Sequence, residues 1–140
     1  MELNRILNRE IFLYLLDREV KRGRRYQNFF CLLILELIHL SREDNRHGLW
    51  TCYKKLTDLL KEEFRESDLL GSLSENRLAV LLPYADLSAG GQAQSHFESR
   101  LKYYDFKSDG YEVKIDKICF PVDGTDVAGL GKKLMELEKE

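Results

Sequence analysis

The chain has 140 residues, with 22 lysines and arginines against 24 aspartates and glutamates and a formal net charge of −2. Apolar residues make up 44%, enough to build a core and to exclude a disordered chain, and one domain over residues 1–140 is expected, burying roughly two thirds of its unfolded surface. The near balance of charge excludes a general nucleic-acid binder, which needs a basic surface.

The longest apolar run, residues 29–35, is too short to cross a bilayer, so no membrane insertion is expected. Met1-Glu2-Leu3-Asn4-Arg5 lacks the charged and apolar regions of an export signal. Cys31, Cys52 and Cys119 have no close spacing. They read as buried free thiols in a reducing cytoplasm, the expected location. His39, His47 and His96 have no zinc-type spacing with them, and no metal or cofactor is expected.

In chain order, the first helix is expected over residues 4–24, with Leu3, Ile6, Leu7, Ile11, Leu15 and Leu16 at three- and four-residue spacing and Phe12 beside them. Arg18, Lys21, Arg22, Arg24 and Arg25 crowd its last turns, where cations suit the negative end of the helix dipole. Residues 29–38 read as a central strand, apolar on both faces. A polar loop is expected over residues 41–48, then a helix with Leu49, Cys52, Tyr53, Leu56, Leu60 and Phe64 on one face and Lys54, Lys55, Asp58, Lys61, Glu62 and Glu63 behind.

Two short strands follow at 68–73 and 77–82, with Ser74-Glu75-Asn76 as the turn of a hairpin. A third helix from about Asp86 carries Ala89, Ala93, Phe97 and Leu101 inward, weakened near its start by Gly90-Gly91. Tyr103, Tyr104 and Phe106 read as hydrophobic edge packing rather than a stacking platform. A strand at 111–120 and a last helix with Val127, Leu130, Leu134 and Leu137 inward complete the chain, and Pro83 and Pro121 mark strand ends. The order α-β-α-β-β-α-β-α predicts an α/β (α+β) sandwich: a mixed, mainly antiparallel sheet of about five strands flanked by helices.

Several strings resemble the GGDEF domain of diguanylate cyclases. Asn8-Arg9-Glu10-Ile11-Phe12 is similar to the family's N-R-x-x-F helix. Ser67-Asp68-Leu69-Leu70 resembles its lead into the signature hairpin. Leu78-Ala79-Val80-Leu81-Leu82-Pro83 is similar to F-A-V-L-L-P, and Phe120-Pro121-Val122-Asp123-Gly124 to Y-P-x-D-G. In that register the signature reads Ser74-Glu75-Asn76-Arg77-Leu78. The family's glycines let the backbone approach a triphosphate, and its acid helps hold magnesium. Ser74 and Glu75 carry side chains into that approach, Asn76 is neutral, and Arg77 has the wrong sign for a metal ligand. The strand-end acid survives as Glu36, while Ile38 stands where a second acid would be. Asp44-Asn45-Arg46-His47-Gly48 reads as a remnant of the guanine-reading stretch. Trp50 falls where the guanine-reading aspartate would be, a large ring expected to plug the cleft.

The resemblance therefore implies a degenerate, non-enzymatic domain. One element of the family does match. Arg65-Glu66-Ser67-Asp68, separated from Ser74 by five residues, has the letters and spacing of the R-x-x-D product-inhibition site. An arginine fork can donate to guanine O6 and N7, and a carboxylate can accept from the N1 and N2 edge. His96 stands near the position of a second family arginine, with Arg100 one turn further along. The resemblance thus leaves two roles open: a receptor for cyclic di-GMP through Arg65, Asp68 and Arg100, or a ligand-free module of a bacterial signalling system that forms a homodimer or binds a partner protein. Arg65 and Asp68 could equally pair with each other.

Overall fold

The computed structural model describes residues 6–40, 46–63 and 67–121. Three helices, α1 (Arg9–Tyr26), α2 (Arg46–Glu63) and α3 (Leu87–Leu101), alternate with four strands, β1 (Phe30–His39), β2 (Leu69–Ser74), β3 (Arg77–Pro83) and β4 (Tyr111–Phe120). The sheet order is β2-β3-β1-β4, its strand pairings are all antiparallel, and among the described residues four strands stand where about five were expected. The expected last helix lies outside the described residues, as do Phe64 and Arg65.

β1 explains the layering. Successive strand side chains point to opposite faces. Leu33, Leu35 and Leu37 enter a core with Leu56 and Leu60 of α2 and Phe97 of α3, while Leu32 and Ile34 enter a second core with Phe12, Leu16 and Val20 of α1. One helix therefore covers one face of the sheet and two cover the other.

α1 starts later than the apolar spacing suggests. Asn8 caps it, its side chain accepting from the Ile11 amide at 2.9 Å. Leu7 instead bonds the edge of β2, donating to Leu70 O at 2.9 Å and accepting from Ser72 N at 2.8 Å. The inward stripe becomes Phe12, Leu16, Val20 and Gly23, and Ile11, expected inside, is exposed.

The polar loop before α2 is shorter than expected, because Arg46, His47 and Gly48 already belong to the helix. In α3, Ala89 is exposed and Gly90 faces the sheet. A Cβ on Gly90 would lie 2.6 Å from Cys31 Sγ, so this glycine permits a close helix–sheet approach rather than merely weakening the helix.

The cysteine expectation is corrected for two of the three. Cys31 and Cys119 are direct neighbours across β1 and β4 and form a disulfide. Cys52 remains a free, buried thiol, and burial pushes its pKa up to about 11. Around Phe106, edge packing prevails: Tyr104 lies against it at 6.2 Å between ring centres, while Tyr103 is exposed.

Candidate functional site

The signature hairpin and the end of β1 meet at one end of the sheet. Ser74 pairs with Arg77, leaving Glu75 and Asn76 as the turn. Asn76 fastens this tip to β1: its backbone oxygen accepts from the Leu37 amide at 2.8 Å, and its side-chain amide donates to Leu37 O at 3.2 Å. Ser74 Oγ adds a hydroxyl bond to Asn76 Oδ1 at 2.8 Å. The position that resembles a metal-holding acid is thus occupied by an amide that holds the backbone together.

Arg77 is directly opposite Glu36 in the β1–β3 register. Directly opposed residues share a face of the sheet, here the α1 face by the alternation along β3. Arg77 is only 4% exposed. A permanent cation is therefore built in beside the one strand-end carboxylate that resembles a metal ligand. Among the described residues no cluster of three or more metal-ligating side chains occurs.

The indole of Trp50 does not plug the adjoining hollow. It is 62% exposed, and with Leu49, Tyr53 and Glu75 it borders a cavity of about 360 Å³. Ile38 and Leu40, at the end of β1, are also exposed. This end of the molecule carries apolar surface where the resemblance places a nucleotide.

The R-x-x-D element is placed only in part, since Arg65 lies outside the described residues. Asp68 immediately precedes β2 and is 5% exposed. Arg100 projects from α3 toward α2, with its Nε 2.9 Å from Glu63 Oε1 and a terminal nitrogen 3.4 Å from Glu62 Oε2. His96 is bonded to the other oxygen of Glu63. Glu62 and Glu63, read from the sequence as the back of the helix, thus hold Arg100, the side chain expected to assist a ligand, and His96, which stands where the family has an arginine. The signal was available: two acids end α2, and two basic side chains lie one turn apart on α3. Lys55, on the same back face, is likewise engaged, with Asp109 at 2.8 Å tying α2 to the 3-10 turn at Lys107–Asp109.

Residues 2–124 match the family model described as "Diguanylate cyclase, GGDEF domain". Among solved structures, a DGC protein from Thermotoga maritima superposes with a TM-score of 0.78 at 19% identity, over 98% of this chain and 96% of that one. The FimX GGDEF domain from Pseudomonas aeruginosa gives 0.72 at 18% identity, over 94% and 86%. The GGDEF domain of DgcB from Caulobacter crescentus, in complex with c-di-GMP, gives 0.61 at 11% identity, over 85% and 72%. No curated protein matches the chain.

Proposed function

The chain belongs to the GGDEF family, and from that premise we propose that it is a member without cyclase activity that signals by association, with a second copy or with a partner protein. One observation carries this reading: buried Arg77 sits opposite Glu36 while Asn76 ties the hairpin tip to β1. A divalent metal needs converging anionic oxygens, and a triphosphate needs open backbone. Glu36 instead stands opposite a buried arginine in the strand register, and Glu75 adds negative charge where phosphate oxygens would come. The exposed Trp50, Ile38 and Leu40 supply the kind of surface that association uses, since large aromatic and apolar side chains concentrate binding energy at protein interfaces. Titration with a non-hydrolysable GTP analogue and magnesium tests the catalytic half of this proposal. No heat is expected, and saturable binding would sink it.

A second reading rests on the spacing of Arg65 and Asp68 ahead of the hairpin, as in a receptor for cyclic di-GMP. The DgcB GGDEF domain, a neighbour in fold, was solved with c-di-GMP bound. Against it stand the burial of Asp68 and the capture of Arg100 by Glu62 and Glu63. Calorimetry with cyclic di-GMP separates the two readings. Absence of heat supports the ligand-free module, and binding abolished by Arg65→Ala establishes the receptor.

A further inference from the structure

The end of the sheet opposite the signature hairpin has a different chemistry. The register pairs Phe30 with both Pro83 and Phe120, so the start of β1 and the ends of β3 and β4 lie together there. The last turns of α1 reach the same end, because the Arg22 guanidinium stacks 4.6 Å over the Tyr84 ring. Arg18, Lys21, Arg22, Arg24 and Arg25 are thereby gathered at one pole of a chain whose net charge is −2. Asp17 pairs with Lys21 and Glu19 with Arg22. Among the described residues no carboxylate pairs with Arg18, Arg24 or Arg25. Aromatic and apolar tips stand among these cations: Tyr26, Phe29, Tyr84 and Leu87 are each between 42% and 61% exposed. Tyr84 holds its ring outward from a backbone at φ 61°, a conformation that a bulky side chain rarely adopts.

We propose that this pole rests on the surface of an anionic lipid bilayer. Each part has its place there. Phe29 and Leu87 are short apolar wedges for the acyl boundary. Tyrosine rings put an apolar body below and a hydroxyl at headgroup level. Arginines lay their stems along apolar surface and keep the charge at the phosphates. A hollow of about 580 Å³ along α1 is bordered by Arg18, Arg22, Arg25 and Tyr26 and also by Asp17 and Glu19; with those acids matched by Lys21 and Arg22, Arg18 and Arg25 are the cations left to meet headgroup phosphates at its rim. The surplus of acid on the rest of the chain turns the other faces away from the same surface. Lipid is favoured over nucleic acid because the chain as a whole is acidic and the exposed aliphatic Leu87, which cannot stack on a base, has a place in the acyl boundary. The contact is peripheral, and no helix among the described residues is long and apolar enough to cross a membrane.

The test is co-sedimentation of the full chain with vesicles of phosphatidylcholine alone and of phosphatidylcholine with phosphatidylglycerol. Sedimentation is expected only with the anionic vesicles, and it should fade as salt rises to about 0.5 M and the Debye length shrinks. Arg24→Gln and Arg25→Gln replace exposed side chains, so the fold should persist by circular dichroism. Each should weaken the partition about fivefold, the effect of one basic residue at an anionic surface. Leu87→Ser should weaken it without altering the salt dependence. No sedimentation with anionic vesicles, equal sedimentation with neutral ones, or unchanged binding by the folded Arg24→Gln/Arg25→Gln protein would overturn the proposal. So would a single-stranded oligonucleotide or polyglutamate that binds as tightly as the vesicles do.

Discussion

Replacing Gly71 by alanine puts the packing of α1 on the sheet to a quantitative test. A Cβ at Gly71 would lie 2.3 Å from Cδ1, 2.4 Å from Cγ and 2.7 Å from Cβ of Phe12. Carbon atoms rest about 3.5–4.0 Å apart, so the aromatic side chain must retreat by more than about 1 Å. It has little room to do so, being 1% exposed within the core beneath α1. The contacts fall at the root of the ring, which a small rotation cannot move clear. Leu7, bonded on both sides of Gly71, also pins the start of α1 to β2. Overpacking typically costs about 1–3 kcal/mol, and these distances place Gly71→Ala at the upper end. In a chain of this size that lowers the melting temperature by roughly 10 °C. Urea denaturation gives the free energy, and the control is Phe12→Ala, which removes Cγ and Cδ1, the two nearest atoms, at a cost of about 3–5 kcal/mol. With both changes the losses should fall short of additivity by more than about 1 kcal/mol. A Gly71→Ala protein within about 0.5 kcal/mol of the parent, or strict additivity, would refute the packing given for α1.

Other expectations follow from single contacts. The Cys52 thiol titrates near 11 in the fold against an ordinary 9.0, so folding favours its neutral form. The resulting stability is complete below pH 9 and is lost as pH rises toward 11. That stability amounts to about 3 kcal/mol, and in Cys52→Ala the alkaline decline measured by denaturant titration should flatten. Alkylation of the denatured, unreduced protein should label Cys52 alone by mass spectrometry, and reduction should expose Cys31 and Cys119; three labels before reduction would contradict the disulfide. Trp50, the sole tryptophan, should emit at long wavelength and be readily quenched by acrylamide, whereas a blue-shifted, protected emission would mean that it fills the cleft after all. Asn76→Ala removes the bond to Leu37 O and should cost about 1 kcal/mol, seen as faster hydrogen exchange at the hairpin tip.

The parts of the fold that the sequence shows plainly are those set by local pattern. β1 is apolar on both faces because it is covered on both, and the hairpin turn separates two short apolar runs by polar residues. Where a decision depends on distant partners, spacing misleads. The apolar residues ahead of Asn8 prolong the helical pattern of α1, yet Leu7 serves the edge of β2. Gly90 reads as a helix weakness until Cys31 is seen beneath it. The pairing of Cys31 with Cys119, separated by 88 residues, depends on the β1–β4 register, which no local signal reports. The site divides in the same way. The altered letters of the signature are legible from the chain alone, because carboxylate, amide and guanidinium differ in what they can bind. The clamp by Asn76, the exposure of Trp50 and the capture of Arg100 by Glu62 and Glu63 are properties of the assembled elements. Identity of residues places Asp68 in a binding pattern; only the packed structure shows it 5% exposed.

The central claim concerns catalysis, and one measurement addresses it directly. The purified chain, at high concentration so that facing copies can form, is incubated with GTP and either magnesium or manganese, and the products are resolved by chromatography and mass spectrometry. With a guanidinium opposite Glu36 and an amide-clamped hairpin, GTP should be recovered intact with no cyclic di-GMP formed. Cyclic di-GMP that accumulates with time and disappears in Glu36→Gln would contradict the account.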